Sequence, residues 1–115
     1  MKVYLAGSWQ QRGKIKQWMN QIESKGHEIL VDWTKHNGNN VTEYALEDLH
    51  GVENCDVFII DSQYKSSGKM VELGVALARN KPIYVVGKLT TVFGGLIPRN
   101  HFFPTFNTLL AEVVK

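Results

Sequence analysis

The chain has one cysteine, Cys55, in 115 residues, so no internal disulfide can form and a reduced, intracellular setting is expected. It has no surplus of either charge. Thirteen basic against eleven acidic residues leave +2, and no basic run occurs, so neither a nucleic-acid polymer nor a membrane surface is an expected partner. Long hydrophobic runs are missing too. No segment approaches the roughly 18 apolar residues of a membrane span, and the opening "MKVYLAGS" is too short an apolar run for a signal peptide. Neither GxGxxG nor a Walker loop is present, so NAD and ATP are not indicated. His27, His36, His50 and His101 show no metal-ligand spacing, and neither a metal nor any other cofactor is expected. What remains is a cytoplasmic domain over residues 1–115, long enough for one core and too short for two.

Four apolar runs stand out: Lys2–Ala6, Glu28–Val31, Asp56–Asp61 and Pro82–Val86. They are near-continuous rather than alternating, as in strands covered on both faces. Helical patterns separate them. Ile15, Trp18, Met19 and Ile22 recur at helical spacing before a stop at Gly26. A second helix is predicted over Val41–Glu53 with Tyr44, Ala45, Leu49 and Val52 inward, and a third over Gly68–Asn80 with Met70, Leu73 and Leu77 on one stripe. A last helix is predicted at about Thr105–Val114. This alternation predicts an α/β fold, a Rossmann-like or flavodoxin-like open, mostly parallel sheet of four to five strands flanked by helices. The stretch Gly87–Phe103 is the least regular and reads as a functional or partner-facing loop.

Ligands of such sheets bind beyond the carboxyl ends of the strands. Two of those connections suit an anion. Gly7-Ser8 and Ser66-Ser67-Gly68 place small residues and hydroxyls at strand-to-helix turns, where free N–H groups and the helix dipole favour phosphate; the alternative is an ordinary glycine turn. Glu72 interrupts an otherwise apolar helical segment, "SSGKMVELG". Its place near the helix start is expected to lower its pKa and keep it ionised. Asp48 stands on the second helix. Each is either a solvated surface acid or half of a carboxylate pair in which one attacks an anomeric carbon while the other handles the leaving group's proton. Tyr4, on the first strand, either fills the core or holds the nucleophile's second oxygen. Trp9 and Trp33 follow strands and either stack on a base or pack beneath a loop. Arg12 neutralises a phosphate or is a solvated helix-start residue. Cys55 reads as core filler and Asp61 as a sugar-hydroxyl acceptor.

The pieces "VYLAGSW" (3–9), "DLHGVENCDVFI" (48–59) and "SSGKMVELGVALA" (66–78), in this order and spacing, resemble the nucleoside 2-deoxyribosyltransferase family, including its 2′-deoxynucleoside 5′-phosphate N-hydrolase branch. The resemblance spans about residues 2 to 86. It implies a Rossmann-like domain that cleaves the N-glycosidic bond of a nucleoside or nucleotide. It further implies Glu72 as nucleophile, Tyr4 as the residue orienting it and Asp48 as the acid assisting the departing base. Free-nucleoside transferases carry an aspartate six positions before the nucleophile; Ser66 stands there, as in the 5′-phosphate N-hydrolases, and with Gly7, Ser8 and Gly68 it implies a monophosphate substrate. Trp9 resembles the transferase branch instead, and Gln10 replaces a phosphate-binding arginine, with Arg12, a turn away, the candidate to substitute for it. The resemblance also implies a homodimer or larger homo-oligomer with shared sites, Leu96–His101 and Asn100 in particular serving a neighbour. Two other readings stay open: base exchange between deoxynucleosides, and a nucleotide-binding module without catalysis. A cytokinin-type phosphoribohydrolase is disfavoured because its "PGG" cluster is missing.

Overall fold

Residues with β-branched and aromatic side chains and no intervening glycine or proline form the central strands: β1 (Lys2–Ala6), β3 (Val57–Asp61) and β4 (Ile83–Val86). In the computed structural model, which describes residues 1–115, they pair in parallel, with Tyr4 opposite Phe58 and Phe58 opposite Ile83. Two short edge strands, β2 (Glu28–Ile29) and β5 (Phe102–Phe103), complete an all-parallel sheet in the order β2-β1-β3-β4-β5. This is the flavodoxin-like order, whose switch point lies between β1 and β3.

The four helices are α1 (Arg12–Ser24), α2 (Val41–Asn54), α3 (Ser67–Ala78) and α4 (Phe106–Val113). Helix α1 ends as expected, with Gly26 at φ +90° beyond it. Helices α2 and α3 pack against each other, while Trp18 of α1 stacks on Phe106 of α4 with ring centroids 4.4 Å apart. Strand β2 is shorter than predicted because Asp32 accepts the Thr34 N–H at 3.1 Å and turns the chain into a 3-10 turn at Trp33–Lys35. The irregular stretch after β4 resolves into two 3-10 turns, Val92–Leu96 and Arg99–His101, followed by β5.

Two inward assignments and one ligand assignment are corrected. Ala45 is exposed, its place on the inner face of α2 being taken by Gly51 and Val52. Met70 is also exposed, at 37 %, because the buried stripe of α3 runs through Lys69, Leu73 and Ala76. Asp61 is 2 % exposed and ion-paired with Lys14 Nζ at 2.9 Å, which leaves it unable to serve as a sugar-hydroxyl acceptor.

Candidate active site

The site is assembled where α2 and α3 cross the face of β1. Tyr4 is fully buried, and its ring stacks parallel to that of its strand partner Phe58 at 5.8 Å between centroids. Above it, α2 comes close because of Gly51: a Cβ there would meet Tyr4 Cδ2 at 3.1 Å and Val31 Cγ2 at 2.6 Å. Asp48 stands one turn earlier on the same helix face, so the approach at Gly51 also carries the Asp48 carboxylate to Tyr4.

From α3, Glu72 completes the group. Tyr4 Oη donates to Glu72 Oε2 at 2.8 Å. Glu72 is in the second turn of α3, past the terminal amides, and burial pushes its pKa up to about 7; the Tyr4 hydrogen bond opposes this and the Asp48 charge adds to it. The expectation of a dipole-lowered carboxylate is therefore overturned: the dipole falls off within the first turn, and desolvation outweighs it. Burial likewise pushes Asp48 up to about 6, opposed by His36 and reinforced by Glu47. Tyr4 is raised far beyond the ordinary phenol value by burial, then by Glu72 and Asp48. Two carboxylates that titrate near neutrality and sense each other can exchange acid and base roles.

Asp48 Oδ1 is buried without a hydrogen-bond partner, and His36 Nε2 stands 3.9 Å from it, too far to bond directly. The His36 ring is fixed by stacking on Tyr44, 4.0 Å between centroids. His36 was passed over in the sequence because it has no ligand spacing; its only signal is a place in the connection after the second apolar run. Gly51 was missed as well, although its spacing of three from Asp48 was visible.

The first connection is packed tightly. A Cβ on Gly7 would sit 2.8 Å from Ile15 Cδ1, and Ser8 is 3 % exposed with an unbonded Oγ. Trp33 is buried, its Nε1–H donating to the Leu5 carbonyl at 2.7 Å, so it packs beneath the connection and cannot stack on a base. Trp9 is 48 % exposed instead, with the Arg12 guanidinium 4.5 Å from its ring centroid and Arg12 Nη1 donating to its carbonyl at 3.1 Å.

The second connection caps α3: Ser66 Oγ accepts the Lys69 N–H at 3.3 Å. This leaves the Ser66 hydroxyl proton and the amides of Ser67 and Gly68 free of helical partners. Over Gly68 the chain itself leaves space, a Cβ meeting only Ser66 Oγ at 3.9 Å. Ser66 and Ser67 line a cleft of about 490 Å³ with Lys65, Lys88 and Thr90; Glu72, Tyr4 and Asp48 are not among its walls. Asn100 lies elsewhere, exposed before β5, where the following His101 Nδ1 bonds the Ile83 carbonyl at 2.9 Å. It is on the far side of β3 and β4 from Tyr4.

No curated protein matches the sequence. Among solved structures, the fold is similar to that of the CMP N-glycosidase BcmB of Clostridium botulinum, with TM-score 0.69 and 18 % identity, covering 98 % of each chain. It is also similar to a 2-deoxyribosyltransferase of the psychrotolerant Bacillus psychrosaccharolyticus, with TM-score 0.68 and 19 % identity, covering 95 % of this chain and 90 % of that one. The family model of nucleoside 2-deoxyribosyltransferases matches residues 3–106, a span holding β1, α2 and α3 with all three members of the Tyr4–Asp48–Glu72 group, and the chain belongs to that family.

Proposed function

We propose that the protein cleaves the N-glycosidic bond of a (2′-deoxy)nucleoside 5′-monophosphate through a covalent glycosyl–Glu72 intermediate, releasing free base and sugar 5-phosphate. The observation that carries this reading is the Tyr4–Glu72 hydrogen bond at 2.8 Å, beside a second carboxylate on α2. In the first step a Glu72 oxygen attacks the anomeric carbon as the bond to the base nitrogen breaks, and Asp48 protonates the departing base. In the second, a water oxygen attacks the same carbon, its proton passes to Asp48, and the bond to Glu72 breaks. Tyr4 holds one Glu72 oxygen, leaving the other to act. Ser66 and the amides of Ser67 and Gly68 receive the phosphate, with Gly7 and Ser8 shaping the opposite wall. Trp9 stacks on the base, with Arg12 beside it.

Ser66 at the phosphate turn favours a nucleotide, as does the likeness to an enzyme named CMP N-glycosidase. Exposed Trp9 favours the second reading, deoxyribosyl transfer between bases, the activity named for the Bacillus structure. The test is incubation with nucleosides and their monophosphates, with and without free adenine, followed by chromatography of the products. Free base and sugar phosphate without added adenine support hydrolysis. Product only with an acceptor base, indifferent to phosphate, supports transfer. Unchanged mixtures would leave a nucleotide-binding module.

We further propose a homodimer formed through α3 and the turn after β4, where Met70, Phe93 and Leu96 are 37 %, 57 % and 67 % exposed around an apolar groove. In that arrangement Asn100 serves a second copy's site and not its own. Analytical ultracentrifugation of the purified protein tests the assembly.

A further inference from the structure

One buried ammonium has no part in the chemistry above. Lys69 is 2 % exposed although it stands in the first turn of α3. Both circumstances are unfavourable to a cation, because burial strips its water and the positive end of the helix repels it. Its surroundings offset this. Nζ donates to the carbonyl oxygens of Asp61 at 2.7 Å, Gln63 at 3.1 Å and Tyr64 at 2.6 Å. Three acceptors occupy all three N–H bonds of an ammonium, one more than a neutral amine possesses, so this arrangement selects the charged form. The nearby Asp61 carboxylate is already paired with Lys14. Two cations thus answer one anion, and the cluster retains a positive charge.

The carbonyls are those of the last residue of β3 and of two residues in the connection from β3 to α3. That connection includes Tyr64 at φ +64°, a left-handed conformation rare for a bulky residue. Lys69 gathers these carbonyl dipoles onto its own ammonium, and its backbone N–H holds Ser66 Oγ. One residue therefore fixes the connection from both ends. The same connection walls the 490 Å³ cleft, whose lining includes Lys69 itself with Lys65 and Lys88 and no carboxylate.

We infer that Lys69 is a positioning residue for the substrate's 5′-phosphate: it turns the carbonyls of the β3–α3 connection away from the cleft and places an uncompensated positive charge beneath the Ser66–Gly68 turn. This rests on the nucleotide reading of the site. With all its N–H bonds taken, Lys69 acts on the phosphate through the connection and through its field, without touching it.

The consequence is a defect confined to phosphate. K69Q keeps donors for the carbonyls and loses the charge; K69M loses both. For a nucleoside 5′-monophosphate, K69Q raises KM by about tenfold with kcat within about twofold, whereas kcat/KM for the same nucleoside without phosphate stays within about twofold of wild type. Inorganic phosphate, titrated calorimetrically, loses affinity by a similar factor. K69M shows the same split with faster amide exchange across residues 61–66, and K69Q carries the test alone if K69M does not fold. Equal losses with and without phosphate would reduce Lys69 to a purely structural role and overturn the inference. So would an unchanged KM and phosphate affinity in K69Q while wild type prefers the monophosphate. A wild type with no such preference would overturn the nucleotide reading, and the inference with it.

Discussion

Gly51 lies directly over the ring of Tyr4, with room for no side-chain carbon between them: a Cβ would stand 3.1 and 3.2 Å from two ring carbons and 2.6 Å from Val31. The glycine therefore sets the height of α2 above β1, and with it the distance from Asp48 to the Tyr4–Glu72 pair. Gly51→Ala forces α2 outward. It should destabilise the fold by about 1–3 kcal/mol, the usual range for overpacking. It should also lower kcat with little change in phosphate affinity. Urea denaturation and steady-state kinetics check the two halves, and an alanine variant with wild-type kcat would sever the link between this contact and the acid.

Glu72→Gln should stabilise the protein at neutral to alkaline pH. Between the ordinary value of 4.5 and about 7, the unfolded chain has released this proton while the folded protein retains it. Stability therefore falls as pH rises through that window and levels off above it. Glutamine still accepts from Tyr4 and carries no charge to desolvate. The variant should be about 3 kcal/mol more stable than wild type at pH 8 and no more stable at pH 4, while losing turnover by roughly 10³-fold or more. Denaturant midpoints at the two pH values decide it.

Tyr4→Phe removes the one contact that lowers the Glu72 pKa. The upper limb of the pH–rate profile, near 7, should move to higher pH, since Glu72 is the higher of the two carboxyls and any further rise in its pKa lifts that limb. A hydrogen bond to a charged group contributes about 1.5–3 kcal/mol, so kcat/KM should drop by roughly 10- to 100-fold. A profile of unchanged shape would mean that the hydroxyl serves packing alone.

Asp48→Asn removes both an acid and a neighbouring charge. With the two carboxyls near 6 and 7, wild type should show a bell between these values, whose limbs belong to the pair. The variant should lose the bell and keep a single rise with pH set by the ionisation of Glu72, which is freed from a like charge. Activity toward substrates whose base departs unaided should survive best. Rates measured from pH 5 to 9 test this directly.

Much of the frame was legible from residue patterning. Continuous apolar runs gave the three central strands, and the helical stripes of α1 and α4 were visible in Ile15, Met19 and Ile22 and in the final segment. Strand β5 was hidden because two residues carry no periodicity, and β2 was overextended because Val31 is as apolar as a strand residue although Asp32 turns the chain. Residue identity singled out Tyr4, Asp48 and Glu72, which the fold brings together, but not the environment that tunes them. The misjudged pKa of Glu72 followed from weighing a local dipole without the burial that only tertiary packing creates. Lys69 escaped notice for the same reason: a lysine at a helix start reads as surface until the carbonyls gathered around it are seen.

Helix α2 buries only Gly51 and Val52 across its fourteen residues, and it delivers Asp48. An element whose buried contacts sit in one short stretch can lift at less cost than the whole fold can open. Asp48 thus rides on a helix fastened chiefly near its C-terminal end, whereas Glu72 is bonded to the fully buried Tyr4. Entry of a bulky heterocycle and its later escape could proceed by α2 breathing away while the sugar stays tethered below. Such a division would let one frame accommodate many bases and still keep the reacting carbon registered to within a bond length.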